Sequence, residues 1–209
     1  MDGGRVYAIY GGSRLHEYNA NNDGTWNLVP GSTTVKAIDA ITDGRGNDAV
    51  FALLGNGNFG EYFGGHFDLM LAANARLGRF FVSVDSFSAA TDQFGDAIVY
   101  ADIIGRAGIV RANLGLYHVG YGTETFITNN ATSFSGTTDA LWITESNGSL
   151  LEYNGTTLQS EPHDGSTYAS LSAASANDVF YVVGGTLDQT HLTPVFEVIS
   201  YQDYGTVNQ

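Results

Sequence analysis

Asp48-Ala-Val-Phe-Ala-Leu53 is an apolar run that opens on an aspartate. It returns as Asp96-Ala-Ile-Val-Tyr-Ala101, Asp139-Ala-Leu-Trp-Ile-Thr144 and Asp178-Val-Phe-Tyr-Val-Val183. A fifth copy without the aspartate, Val6-Tyr-Ala-Ile9, opens the chain. With Val6, Val50, Ile98, Leu141 and Phe180 as equivalent positions, the separations are 44, 48, 43 and 39. A repeat of this length is the mark of propeller blades among other repeat architectures, and drift of this size is what loops produce when strands stay in place.

A second anchor follows each first one. Leu15-His-Glu-Tyr18, Phe59-Gly-Glu-Tyr62, Leu150-Leu-Glu-Tyr153 and the weaker Val195-Phe-Glu-Val198 share an apolar-x-Glu-apolar pattern, and Ile109-Val-Arg-Ala112 fits with Arg111 in the glutamate place. From Val6 to Glu17, Val50 to Glu61 and Leu141 to Glu152 the distance is 11 residues each time. Gly11-Gly12, Gly55-Asn-Gly-Asn58, Gly105-Arg-Ala-Gly108, Asn147-Gly148 and Gly184-Gly185 lie between the anchors. Gly and Asn tolerate the positive φ of hairpin turns, so each pair of anchors reads as two antiparallel strands.

Polar segments such as Trp26-Asn-Leu28, Phe67-Asp-Leu69 and Leu116-Tyr-His118 then read as outer strands. Ile38-Asp-Ala40, Phe87-Ser-Ala89, Phe134-Ser-Gly136 and Leu171-Ser-Ala173 precede the apolar anchors. Their small residues suit inner strands where backbones converge. The whole is expected to be one all-β domain over 1–209. It would be a β-propeller of about five four-stranded antiparallel blades, at 1–34, 35–70, 80–120, 131–160 and 167–209. The first copy lacks an inner strand, so Tyr201 to Gln209 is expected to dock there and close the ring; the competing reading makes it the fifth blade's own outer strand.

Composition agrees with a β-rich globular chain: 43% hydrophobic and 14% charged residues, with 27 Gly, 12 Tyr and 12 Phe against 3 Pro. The net charge of −14 repels phosphate backbones and anionic headgroups, which argues against nucleic-acid and membrane-surface partners. No Cys is present, which excludes disulfides, thiol catalysis and thiolate metal sites. The opening MDGGRVYAIYGG shows no signal pattern and no apolar stretch is long enough for a spanning helix, so no membrane insertion is expected.

At the Glu-Tyr strands the chain resembles the repetitive propeller segments of large bacterial surface and secreted proteins. The match rests on Glu17-Tyr18, Trp26, Ile38-Asp39-Ala40 and Asp48 to Leu53. More distantly the layout is similar to tachylectin-type and fucose-binding bacterial propeller lectins. The resemblance implies a propeller fold, an extracellular or cell-surface setting, and a place among neighbouring domains of a larger chain. It carries over no sugar-binding residue.

Catalytic chemistry has little support. His16, His66, His118, His163 and His191 show no metal or catalytic spacing. The repeated Glu17, Glu61 and Glu152 are related by the repeat and so do not face one another across one substrate as paired glycosidase acids do. Asp43-Gly-Arg-Gly-Asn-Asp48 makes Asp43 and Asp48 weak calcium candidates, against a structural turn in which the second Asp accepts backbone N–H groups. No cofactor is implied.

Aromatic side chains suit sugars or peptides, which makes Trp26, Tyr62, Tyr117 and Tyr121 the ligand-binding candidates, whereas Trp142 reads as core. Leu71 to Arg79 and Thr186 to Pro194 depart furthest from the repeat and are the loops where a site is expected. The expected function is a non-enzymatic binding or spacer module, with a glycan or another surface protein as partner. The alternatives are a purely structural, self-associating repeat and, behind it, a hydrolase or lyase on the same scaffold.

Overall fold

The computed structural model describes residues 5–19, 24–30, 32, 34–63, 66–72, 75–77, 80–92, 94–107, 110–120, 123–137, 140–160, 168–175, 178–183, 186–192 and 198–206. Every regular element among them is a strand. The first sheet is β1 (Arg5–Tyr10), β2 (Arg14–Asn19) and β3 (Trp26–Leu28); the second is β4 (Val35–Thr42), β5 (Asp48–Leu54), β6 (Phe59–Phe63) and β7 (His66–Leu71). The third holds β8 (Arg76–Leu77), β9 (Phe80–Thr91), β10 (Ala97–Ala107), β11 (Val110–Gly120) and β12 (Thr123–Thr128). The fourth is β13 (Ala131–Gly136), β14 (Leu141–Glu145), β15 (Leu150–Tyr153) and β16 (Leu158–Ser160), and the fifth β17 (Tyr168–Ser175), β18 (Asp178–Val183), β19 (Thr186–Leu192) and β20 (Val198–Thr206). In each sheet chain neighbours are hydrogen-bonded neighbours, the meander expected from hairpin-spaced anchors.

Strand register refines the repeat. The amide of Asp43 donates to the carbonyl of Asn47, and that of Asp92 to Asp96, so Asn47 and Asp96 are counterparts. Val50 therefore corresponds to Val99 rather than Ile98. Pairing with the inner strands, Ala40 to Val50, Ala89 to Val99, Gly136 to Leu141 and Ala173 to Val179, extends this correspondence and replaces Phe180 by Val179. The next residue on each apolar strand is then aromatic in all five sheets. Across the hairpin, Tyr7 faces Glu17, Phe51 Glu61, Tyr100 His118, Trp142 Glu152 and Phe180 Gln189.

Several expectations are corrected by this register. Arg111 lies opposite Arg106, far up a long hairpin, and His118 holds the glutamate place of the third sheet. Leu116 to His118 belongs to β11, because the hairpin arms there reach 11 residues; the outer strand is β12, so this sheet runs from Arg76 to Thr128 rather than 80–120. Leu71 to Arg79 contains the edge strand β8. Thr186 to Leu192 is no inserted loop but β19, directly paired with β18, while Val195 to Glu197 lie outside the described residues. Finally, β20 pairs with β19 as the fifth sheet's own outer strand, which overturns docking of Tyr201 to Gln209 on the first sheet.

Successive sheets pack face to face and the core is a series of slabs between them. Leu15, Val35, Val50, Ala52 and Tyr62 join the first two sheets. Phe51, Phe59, Val99, Ala101 and Val119 join the second and third. Tyr100, Leu116, Leu141 and Ile143 join the third and fourth, and Trp142, Leu150, Val179 and Tyr181 the fourth and fifth. Trp142 is fully buried, as its place on the core strand requires.

The inner strands are clamped to one another by one repeated bond. The Ala89 amide donates to Asp39 Oδ2 (2.8 Å), the Gly136 amide to Ser88 Oγ (2.9 Å) and the Ala173 amide to Ser135 Oγ (3.0 Å). This accounts for Ser or Asp at the middle of each inner motif and a small residue after it. A Cβ on Gly136 would stand 2.6 Å from the Ala89 carbonyl oxygen, so a side chain there forces the strands apart.

Candidate functional site

Among the described residues, a cleft between the first and second sheets and another between the third and fourth are, by register, the same place in two copies of the repeat. The first, of about 360 Å³ between the first and second sheets, is lined by Arg5, Tyr7, Glu17, Asp48, Val50 and Tyr62, among others. The second, of about 160 Å³ between the third and fourth, carries Ile98, Tyr100, His118 and Tyr153, with Asp92 and Asn154 at its rim. Tyr7 matches Tyr100, Glu17 matches His118 and Arg5 matches Ile98 on one wall; Tyr62 matches Tyr153 on the other.

The first cleft is charged. Period-two alternation puts Arg5 on the Tyr7 face of β1, and the cross-strand pair brings Glu17 to the same face. Arg5 Nε lies 3.3 Å from Glu17 Oε1 and 3.5 Å from Asp48 Oδ2, so one guanidinium spans the two sheets. Tyr7 donates its hydroxyl to Asp48 Oδ2 at 3.5 Å, and the Thr42 hydroxyl donates to the other oxygen, Oδ1, at 2.8 Å. The bond with Tyr7 and the charge of Glu17 hold the arginine above its ordinary pKa. Burial pushes the Tyr7 and Tyr62 hydroxyls up, and the Tyr62 hydroxyl has no hydrogen-bond partner among the described residues.

The second cleft has aromatic rings and an imidazole where the first has its ion pair. Tyr100 is 3% exposed and lies edge-on to Tyr153, ring centres 6.1 Å apart, while His118 sits 5.7 Å from Tyr100. Burial lowers the His118 pKa, opposed in part by Asp92. The Asp92 carboxylate is itself taken up by the amides of Phe94 and Asp96 at 2.9 Å, so it shapes the turn. In the fourth sheet Glu152 has its carboxyl raised by burial.

The aromatic candidates do not converge. Tyr62 lies in the first cleft, Trp26 on the opposite face of the first sheet, and Tyr117 against Phe126 in the third sheet (5.4 Å). Tyr121 lies outside the described residues. Asp43 and Asp48 point apart. The Asp43 oxygens accept the amides of Arg45 (2.9 Å) and Asn47 (2.7 Å) and the Asn47 side chain, whereas Asp48 turns toward the first sheet. The turn is thus built by its first aspartate rather than its second, because Oδ1 of Asp43 caps two amides of its own loop. Among the described residues no three His, Asp or Glu side chains gather as metal ligands.

Arg5, Tyr7 and His118 were not singled out as site residues from the sequence. A signal existed for the first two: Arg5 and Tyr7 alternate onto one strand face, and Arg is scarce in a chain with 8 basic residues. For His118 the signal was hidden by the long third hairpin.

No protein-family model and no curated protein matches the chain in sequence. Solved structures do match it in shape. Prp20p from Saccharomyces cerevisiae aligns over 94% of this chain and 57% of its own, with 9% identity and a TM-score of 0.56. The structure described as BBS1N in complex with ARL6DN aligns over 97% and 66%, with 10% identity and a TM-score of 0.53. A streptogramin B lyase aligns over 98% and 66%, with 13% identity and a TM-score of 0.47. The chain thus spans less than two thirds of the length of these proteins, and at such identities a shared scaffold is compatible with an enzyme or a non-enzyme. What the likeness carries is the fold: the chain is an all-β protein of stacked antiparallel sheets with a β-propeller-type scaffold.

Proposed function

We propose that this chain is a non-enzymatic binding module, five blades of a propeller in an extracellular or cell-surface setting, that takes a neutral saccharide in the cleft between its first two sheets. The observation that carries this reading is Arg5 spanning Glu17 and Asp48 at 3.3 and 3.5 Å in a cleft walled by Tyr7 and Tyr62. Sugar hydroxyls both donate and accept, so a guanidinium between two carboxylates meets them on either side. Tyrosine rings supply the apolar faces on which pyranose C–H groups rest. The cleft of about 360 Å³ holds a small ring, within the range typical of ligand pockets.

Both carboxylates share one cation, an arrangement that suits holding hydroxyls rather than delivering a proton. A glycan array followed by calorimetry tests the reading. A neutral glycan bound by the native chain should be lost in Arg5→Ile, which writes the second cleft's residue into the first. Absence of binding across the array defeats it, and turnover of aryl glycosides by the native chain would replace binding with hydrolysis.

A further inference from the structure

The cleft between the third and fourth sheets carries a carboxylate oxygen that no described residue answers. Asp92 receives the amides of Phe94 and Asp96 on one oxygen, Oδ1, and among the described residues its Oδ2 receives no hydrogen bond. The equivalent turn shows what is missing. There Asp43 Oδ2 takes the side-chain amide of Asn47 at 3.1 Å, whereas Asp96, which stands in the place of Asn47, has no amide to give. The hydroxyls at the mouth are spent elsewhere: Tyr153 donates to the Gly155 carbonyl at 2.8 Å and Thr156 to Asn154 Oδ1 at 2.9 Å. Each therefore offers the cleft an oxygen and no proton.

The walls are aromatic, and no Lys or Arg is among the residues that line them. Tyr100 lies deepest, with the Tyr153 ring turned 85° to it and His118 beside it. Burial lowers the His118 pKa, so the imidazole is uncharged at neutral pH, and the charge of Asp92 acts on both His118 and the Tyr100 hydroxyl. Aromatic faces beside a carboxylate attract a cation. The first cleft shows how such a place is filled. Arg5 there puts a guanidinium beside Tyr7 and between two carboxylates, and its counterpart here is the uncharged Ile98. The third sheet thus keeps the surroundings of a cation and supplies none of its own.

We propose that the cleft between the third and fourth sheets binds a small organic cation with N–H donors, an alkylguanidinium or alkylammonium ion, its charged head held by Asp92 against the rings of Tyr100 and Tyr153. The cleft is a site distinct from the one proposed for a saccharide. Its volume of about 160 Å³ lies below the roughly 300 Å³ at which pockets enclose whole drug-sized ligands, so it takes a head group. The rest of the ligand then passes over the exposed Asn154 and Gly155 at the rim. A net charge of −14 draws cations toward the surface and raises their local concentration at such a cleft.

The test is an NMR titration of the purified chain, read at the ring protons of His118, with ethylguanidinium and ethylammonium up to about 50 mM. Ethylurea is the control, since it has nearly the shape of ethylguanidinium without the charge. The expected result is a saturable shift with one or both cations and none with ethylurea. Ile98→Arg, which writes the first cleft's cation into the second, should abolish the shift with an unchanged circular-dichroism spectrum. Asp92→Asn is the gentler arm, because asparagine keeps an oxygen for the turn; it should weaken binding about tenfold. No shift with either cation overturns the proposal. So do an equal response to ethylurea, a shift at Tyr7 in place of His118, and binding that Asp92→Asn leaves unchanged.

Discussion

The cleft between the first and second sheets and the cleft between the third and fourth are one position of the repeat, built twice with different outcomes. Both have a tyrosine on each wall. In the first, Arg5 and Glu17 bring charge and the gap is about 360 Å³; in the second, Ile98 and His118 stand in those places and the gap is about 160 Å³. Side-chain polarity explains part of the difference. At the second cleft the Gly136 amide of the fourth sheet also donates to Ser88 of the third, which ties those two sheets together.

The largest break in this comparison should come from its tyrosines. Tyr100→Ala removes a nearly fully buried ring and should cost about 3–5 kcal/mol, by analogy with other aromatic truncations, whereas Tyr7→Ala should cost about half that or less. Urea unfolding of both variants decides the point; equal losses would mean that the clefts are equally packed. Next is the clamp. Ser88→Ala leaves the part-buried Gly136 amide without its acceptor and should cost about 1–2 kcal/mol, with faster hydrogen exchange at Gly136 as the specific sign.

A pH dependence should separate the clefts at lower amplitude. Burial holds the folded-state pKa of His118 below that of the unfolded chain, so the unfolded state takes up the proton first. Its contribution is fully present above the ordinary histidine value of about 6.5 and is lost as pH falls from there through the lower folded value. His118→Gln should flatten that part of a stability-against-pH curve, and an unaltered curve would place the histidine in water. The smallest effect belongs to the ion pair. Arg5 and Glu17 are partly exposed, so Arg5→Ile should change stability by less than about 1 kcal/mol and remove its salt dependence.

How far the fold could be read from the residues depended on hairpin length. Where the two anchors are 11 apart, at Glu17, Glu61 and Glu152, the predicted strands and their pairing match the structure. In the third and fifth sheets they do not. A hairpin that grows by several residues moves the partner of Tyr100 away from the similar-looking Arg111, and β19 occupies what reads as an insertion. Motif matching follows residue likeness, but pairing follows hydrogen bonds counted outward from a turn. The site was less legible still, since Arg5, Asp48 and Tyr62 meet across two sheets and no local pattern relates them.

By itself, then, the sequence determined the apolar strands, the hairpins whose anchors lie 11 residues apart and the small inner residues, because hydrophobic spacing and turn chemistry act within a few residues of chain. Tertiary packing decided which copy of the repeat opens a charged cleft and which tyrosine is buried. Those outcomes depend on what the adjacent sheet presents across the gap, and a residue's own strand carries no record of that neighbour.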